Sequence, residues 1–142
     1  MRISKNFAMY EFSVSASYPE LAKGVPVNLR NNVKELVLKV LQPICDKGGW
    51  TCTINSGYRS IELNRAVCGA PTSQHLKGEA ADCVFKHGKP VPIIDVLRLA
   101  TELNLPFDQM IAYPTFVHFS YTRMRQNRKM VLYNKSYNGK RL

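Results

Sequence analysis

No run of apolar residues in this chain approaches the ~20 needed to cross a bilayer, so no membrane span is expected. The basic opening M-R-I-S-K-N-F-A-M-Y-E-F is interrupted by Asn6, Tyr10 and Glu11 before any continuous apolar stretch forms, which argues against a signal peptide and for synthesis in the cytoplasm. No C-x-x-C pair occurs among Cys45, Cys52, Cys68 and Cys83, so a thiolate zinc site is poorly supported. Nothing else argues for an oxidising compartment, and four reduced thiols are expected. H-E-x-x-H is absent as well, and histidine is limited to 3 residues. Acidic residues number 10 against 20 Lys and Arg, and none follows Asp108. With 142 residues, 45% of them hydrophobic, the chain has material for one core and no room for a separate wall-binding or nucleic-acid-binding domain. Internal repeats and low-complexity segments are lacking too.

What remains is one domain over residues 1–142, whose elements follow from periodicity. Phe7, Tyr10 and Phe12 form an aromatic opening that should pack on the core, and Tyr18-Pro19 and Gly24-Val25-Pro26 punctuate the loop after it. Val33, Leu36, Val37, Val40, Leu41 and Ile44 recur at helical spacing, which predicts an amphipathic helix from Asn28 to Asp46, bent at Pro43 and stopped by Gly48-Gly49. Trp50 to Asn55 alternates as a strand, and Ser60 caps a short helix through Val67. A second amphipathic helix spans Ile93 to Leu103, followed by strands at Met110 and His118 and a last one near Met130 to Tyr133.

Two segments carry chemistry. S-Q-H-L-K-G-E-A-A-D runs from Ser73 to Asp82, and V-H-F-S-Y from Val117 to Tyr121. They supply His75, Asp82 and His118, a three-ligand set suited to Zn²⁺ that leaves a fourth position for water, as catalytic sites do. Lys77-Gly78 reads as a turn and Glu79 to Phe85 as a strand. Alternation then puts Ala80, Asp82 and Val84 on one face and Glu79, Ala81 and Cys83 on the other. In the second strand Phe116, His118 and Ser120 share a face, so Asp82 should look across a site whose opposite wall is the His118 strand. A lone histidine is more often a hydrogen-bonded core or surface residue than a ligand, and using two of three for metal is a strong demand on this sequence.

At these residues the chain resembles the zinc D-Ala-D-Ala peptidases of the M15 family. The resemblance rests on their S-x-H-x-x-G-x-A-x-D element and on Phe116-Val117-His118-Phe119-Ser120 as a W-V-H-[VIF]-S-type strand. S-G-Y-R-S at Ser56 to Ser60 and F-D-Q-M-I at Phe107 to Ile111 add two further matches in the family's order, and the similarity covers about residues 1–133. It implies an α+β domain with a central antiparallel sheet flanked by helices, the fold shared with the Hedgehog signalling domain. It implies His75, Asp82 and His118 as zinc ligands, and Arg59 as the arginine that polarises the scissile carbonyl and supports the oxyanion. It also implies Ser73, with Gln74 and Ser120, as substrate-binding residues. The expected function is hydrolysis of peptide bonds in peptidoglycan stem peptides, as a D,D-carboxypeptidase or an endolysin-like endopeptidase, with release to the cell wall by a partner.

One departure stands against the matches. The family's general-base glutamate lies six residues after the Phe of F-D-Q, where this chain has Tyr113. A phenol with a reference pKa near ~10 is a poor base at neutral pH, though it can orient water or an oxyanion. Asp108 is an acid on the same strand, but alternation faces it away from Tyr113, and Glu79 likewise away from Asp82. The alternative expectation is therefore a zinc-stabilised module that has lost its base and serves recognition.

The C-terminal segment, about residues 122–142, forms a basic tail with Arg123, Arg125, Arg128, Lys129, Lys135, Lys140 and Arg141. Such a stripe attracts polyanions, nucleic acid and anionic cell wall alike. Interleaved Tyr121, Tyr133 and Tyr137 offer stacking surfaces, but no helix-turn-helix accompanies them. A solvated tail that keeps the protein soluble accounts for the same residues.

Overall fold

The apolar spacing in residues 30–48 yields one helical rod with a change of pitch in its middle. The computed structural model, which describes residues 1–142, divides the rod into α1 (Arg30–Leu36), a π-helical turn (Val37–Leu41) and α2 (Gln42–Gly48). Pro43 explains the interruption: it has no N–H to donate and its ring crowds the carbonyl one turn earlier, so the chain widens and the Gln42 N–H reaches the Val37 carbonyl instead. Gly49, at φ 68°, ends the rod in the left-handed conformation, and the Trp50 N–H closes the cap on the Cys45 carbonyl at 3.1 Å.

Two further helices follow the sequence. α3 (Ile61–Ala66) starts where the Ser60 hydroxyl accepts from the Leu63 N–H at 3.2 Å. α4 (Ile93–Glu102) buries Val96, Leu97 and Ala100. The strands are β1 (Thr51–Ser56), β2 (Ala80–His87), β3 (Lys89–Pro90), β4 (Gln109–Ala112), β5 (Val117–Ser120) and β6 (Met130–Tyr133). They form one sheet in the order β1-β2-β5-β4-β6, with β3 folded back on β2. All pairs are antiparallel except β4 with β6, so the expected antiparallel sheet carries one parallel edge. No helix is long and apolar enough to cross a membrane.

The sheet has two chemically different faces. Cys52, Ile54, Ala81, Cys83, Phe85, Met110, Ala112, Val117 and Phe119 point to the side covered by the helical rod and α4, and form the core with Phe7 and Phe12. Tyr10, expected in that aromatic opening, is instead 71% exposed, because it lies on the outer side of a 3-10 turn that buries Met9 and Phe12. The other face carries Asp82 and His118. The basic C-terminal segment is not a free tail: β6 extends the sheet, Tyr133 and Tyr137 stack on each other at 5.7 Å, and Arg141 lies over the Tyr133 ring.

Candidate metal centre and its cavity

β2 and β5 are neighbours, with Asp82 directly opposite His118. The His118 strand is therefore not the far wall of the site, as alternation alone implied; it lies beside Asp82 in the same sheet. The far wall is the 3-10 turn Gln74–Lys77, which carries His75 and ends at Gly78, where φ is 68° and a side chain would be strained. Asp82 Oδ1 lies 2.9 Å from His118 Nδ1 and 3.4 Å from His75 Nε2. One ligand atom from each of the three residues falls within 4.8 Å of the others.

The His75 ring is oriented by the backbone, and the His118 ring by Asp82. His75 Nδ1 is 2.7 Å from the Gly57 carbonyl, which can only accept, so the proton sits on Nδ1 and the Nε2 lone pair faces Asp82. Gly57 itself packs against the Phe12 backbone, where a Cβ would stand 2.6 Å from the Phe12 carbonyl oxygen. Burial pushes His75 below the ordinary imidazole range, against the attraction of Asp82 and with help from His118 and Arg59. Burial raises the Asp82 carboxyl, but His75 and His118 outweigh it and hold the group well below the usual carboxylate range. A neutral imidazole and an ionised carboxylate are the states a metal requires. Zn–N and Zn–O bonds of about 2.0–2.2 Å in a tetrahedron put ligand atoms roughly 3.3 Å apart, and the donor set matches that scale. The residues fit Zn²⁺.

Arg59 stands beside this group, with Nη2 3.6 Å from Asp82 Oδ2. Its side chain is tied by Nε to Ser56 Oγ and by Nη1 to Asn64 Oδ1, both at 3.3 Å, and its N–H donates to the His75 carbonyl at 3.0 Å. Asn64 in turn donates to the Ala70 carbonyl at 2.9 Å. Nothing in the sequence marks Asn64 for this task, because its partners come from a loop that only folding brings back. Tyr113 follows β4 and stacks on Phe116 across the hairpin, ring centroids 4.4 Å apart. Burial, then Asp82, raise its hydroxyl above the ordinary phenol value, against Arg59.

These side chains line an open cavity of about 930 Å³, together with Ser73 and Gln74. Ser73 Oγ accepts from the His75 N–H at 3.2 Å and so caps the turn, while Gln74 donates to Glu79 Oε1 at 3.3 Å. Two expected site residues are not brought to the cavity. Ser120 is fully buried, its hydroxyl accepting from the Gln109 N–H at 3.0 Å. Asp108, just before β4, is fully buried and clasped by Arg125 at 2.7 Å and Arg128 at 2.9 Å. Glu79, expected to point away from Asp82, does line the cavity: β2 begins at Ala80, so strand alternation does not govern it. Its carboxylate accepts from the Thr122 hydroxyl at 2.8 Å. Arg125 and Arg128, which the sequence offered only as tail charges, also form part of the cavity wall.

A family model described as Peptidase M15 matches residues 5–120. The chain belongs to the peptidase M15 family. Membership makes it a peptidase-type hydrolase, and the matched span contains all four motifs named above. No curated protein matches the chain. Among solved structures it is similar to the crystal structure of the Serratia marcescens L-Ala D-Glu endopeptidase ChiX. The two are 19% identical over 69% of this chain and 89% of that one, with a TM-score of 0.42.

Proposed function

We propose that this M15 chain is a zinc-dependent peptidase acting on the stem peptides of peptidoglycan, as a D,D-carboxypeptidase or an endolysin-like endopeptidase. The observation that carries the reading is the convergence of His75, Asp82 and His118 on an open cavity beside a tethered arginine. A bound Zn²⁺ supplies Lewis-acid polarisation of a peptide carbonyl and lowers the pKa of water toward ~7. His75 Nε2, an Asp82 oxygen and His118 Nδ1 would hold it. Arg59 offers fixed N–H donors to the oxygen on which charge develops. Tyr113, its hydroxyl kept protonated by burial, donates a hydrogen bond and does not remove a proton. The protein reaches the wall through release by a partner, and its exposed C-terminal basic residues add a salt-sensitive contact with polyanions.

A second reading has its own support. The acids lining the cavity are Asp82, one of the three ligands, and Glu79, held by Thr122 and Gln74. Neither is free to act as the base that Tyr113 replaces, which favours a slow enzyme or a zinc-stabilised recognition module. Peptide release from purified peptidoglycan by the zinc-loaded protein, with His118→Ala as control, separates the two. Release that vanishes in the variant supports the peptidase; one bound zinc without release, across peptides offering each stem-peptide bond, supports recognition.

A further inference from the structure

The loop from Thr122 to Lys129 is built from two sides before any ligand arrives. Asn127 and Thr122 exchange hydrogen bonds at 2.9 and 3.1 Å, and the Thr122 hydroxyl donates to Glu79. On the other side Asp108, with no exposed surface, receives Nη1 and Nη2 of Arg125 and Nε and Nη2 of Arg128, as well as the Arg128 N–H. Arg125 and Arg128, with Arg59 and Lys77, set four cations on this wall against Glu79, which acts on Arg125, Asp82 and the buried Asp108, so a unit of positive charge is left over. It is left over on the cavity wall, where the Arg125 and Arg128 side chains are about half exposed, at 47% and 48%. Arg125 Nε and Arg128 Nη1 are not used by Asp108. Two arginines already held in one geometry lose little further freedom when they bind a second anion, and a forked guanidinium suits a carboxylate.

We propose that Arg125 and Arg128 form a carboxylate subsite of the cavity, which selects peptides carrying a free acidic group beyond the bond addressed at His75, Asp82 and His118. This rests on the peptidase reading for what the substrate is, but not for the existence of the subsite. The Asp108 N–H donates to the Ser120 carbonyl, and Ser120 lies two residues along β5 from His118, so the backbone that anchors the two arginines is about 7 Å by strand rise from that of His118.

The test uses two synthetic stem-type peptides, identical except that one carries a free side-chain carboxylate where the other carries a carboxamide. Their dissociation constants are measured by calorimetry on the full chain without added zinc, and their turnover on the zinc-loaded protein. The acid should bind about tenfold more tightly than the amide, as a charge-assisted fork predicts. Arg125→Gln, which leaves Arg128 to satisfy Asp108, should reduce that preference below about twofold with the amide's affinity unchanged. Arg125→Lys keeps the charge without the fork and should lose most of it too, which covers the case where Arg125→Gln folds poorly. Arg123→Gln, whose arginine pairs with Asn32 outside the cavity, should keep the preference. Equal affinities in the wild type, no binding of either peptide, or an equal loss in Arg123→Gln would overturn the subsite. A preference without turnover would leave the subsite standing and remove the peptidase reading; turnover of both peptides with equal affinity would do the reverse.

Discussion

Arg59 is held at its backbone by His75, at Nε by Ser56 and at Nη1 by Asn64, so its guanidinium is positioned before substrate enters. Lysine would keep the charge but lose the fork, and Arg59→Lys should lower kcat/KM on a stem-peptide substrate by roughly 10²–10³ with zinc content unchanged. Asn64→Ala should cost less, mostly in kcat, because it loosens the arginine without removing it. Thiol chemistry gives a second prediction at this scale. Burial pushes the Cys45 thiol up to about 12 and Cys52 well up too, the latter helped by its hydrogen bond to Cys83. Cys68 is exposed on the cavity wall. A thiol reagent should therefore modify Cys68 quickly in the native protein and all 4 cysteines only in denaturant, as counted by absorbance or mass. That His75, Asp82, His118 and Arg59 belong to one site was legible from motif order, because those motifs are contiguous stretches of chain. Glu79, Asn64 and Arg125 were not, since each is defined by a partner 5 to 43 residues away.

Among elements, the caps and breaks were readable to within a few residues. Ser60 begins α3 as its hydroxyl predicts, and Ser60→Ala should destabilise the fold by about 1 kcal/mol in urea titration, with the slope unchanged. Pro43 is accommodated not by a kink at the proline but by a π turn before it, which a periodic apolar pattern cannot reveal. Phe119 packs edge-on against Phe85 and Phe107 with ring centroids 6.2 Å away in each case. Removing that ring from the strand that carries His118, as in Phe119→Ala, should cost about 3–5 kcal/mol. The β4–β5 hairpin brings Tyr113 to the cavity, while Asp108, just before β4, is buried beneath Arg125 and Arg128. Strand alternation failed at Glu79 because that residue lies outside β2.

For the whole molecule, the buried Asp108 is the joint between the C-terminal segment and the sheet. Burial raises its carboxyl, yet hydrogen bonds from Arg125 and Arg128 outweigh burial and leave it well below the usual carboxylate range. A group depressed on folding contributes stability that is fully present above its unfolded value, about 3.9, and is lost as pH falls through its folded value. Urea midpoints should thus be insensitive to this group from pH 5 to 7 and fall below about pH 4. Asp108→Asn should be less stable at pH 7 and show a flatter acid limb; parallel acid limbs in the two proteins would remove Asp108 from the account.

The sequence by itself determined the helices, the strands, the family motifs and the identity of the three clustered residues, because periodicity and contiguous motifs are local properties of the chain. Tertiary structure alone decided which strands are neighbours, and with that the placing of Asp82 beside His118 and of His75 opposite them. It alone turned a run of basic residues into a cavity wall pinned to a buried acid. Charge composition records how many cations a segment has, but which of them are neutralised depends on contacts between residues far apart in the chain, and those exist only once the sheet has formed.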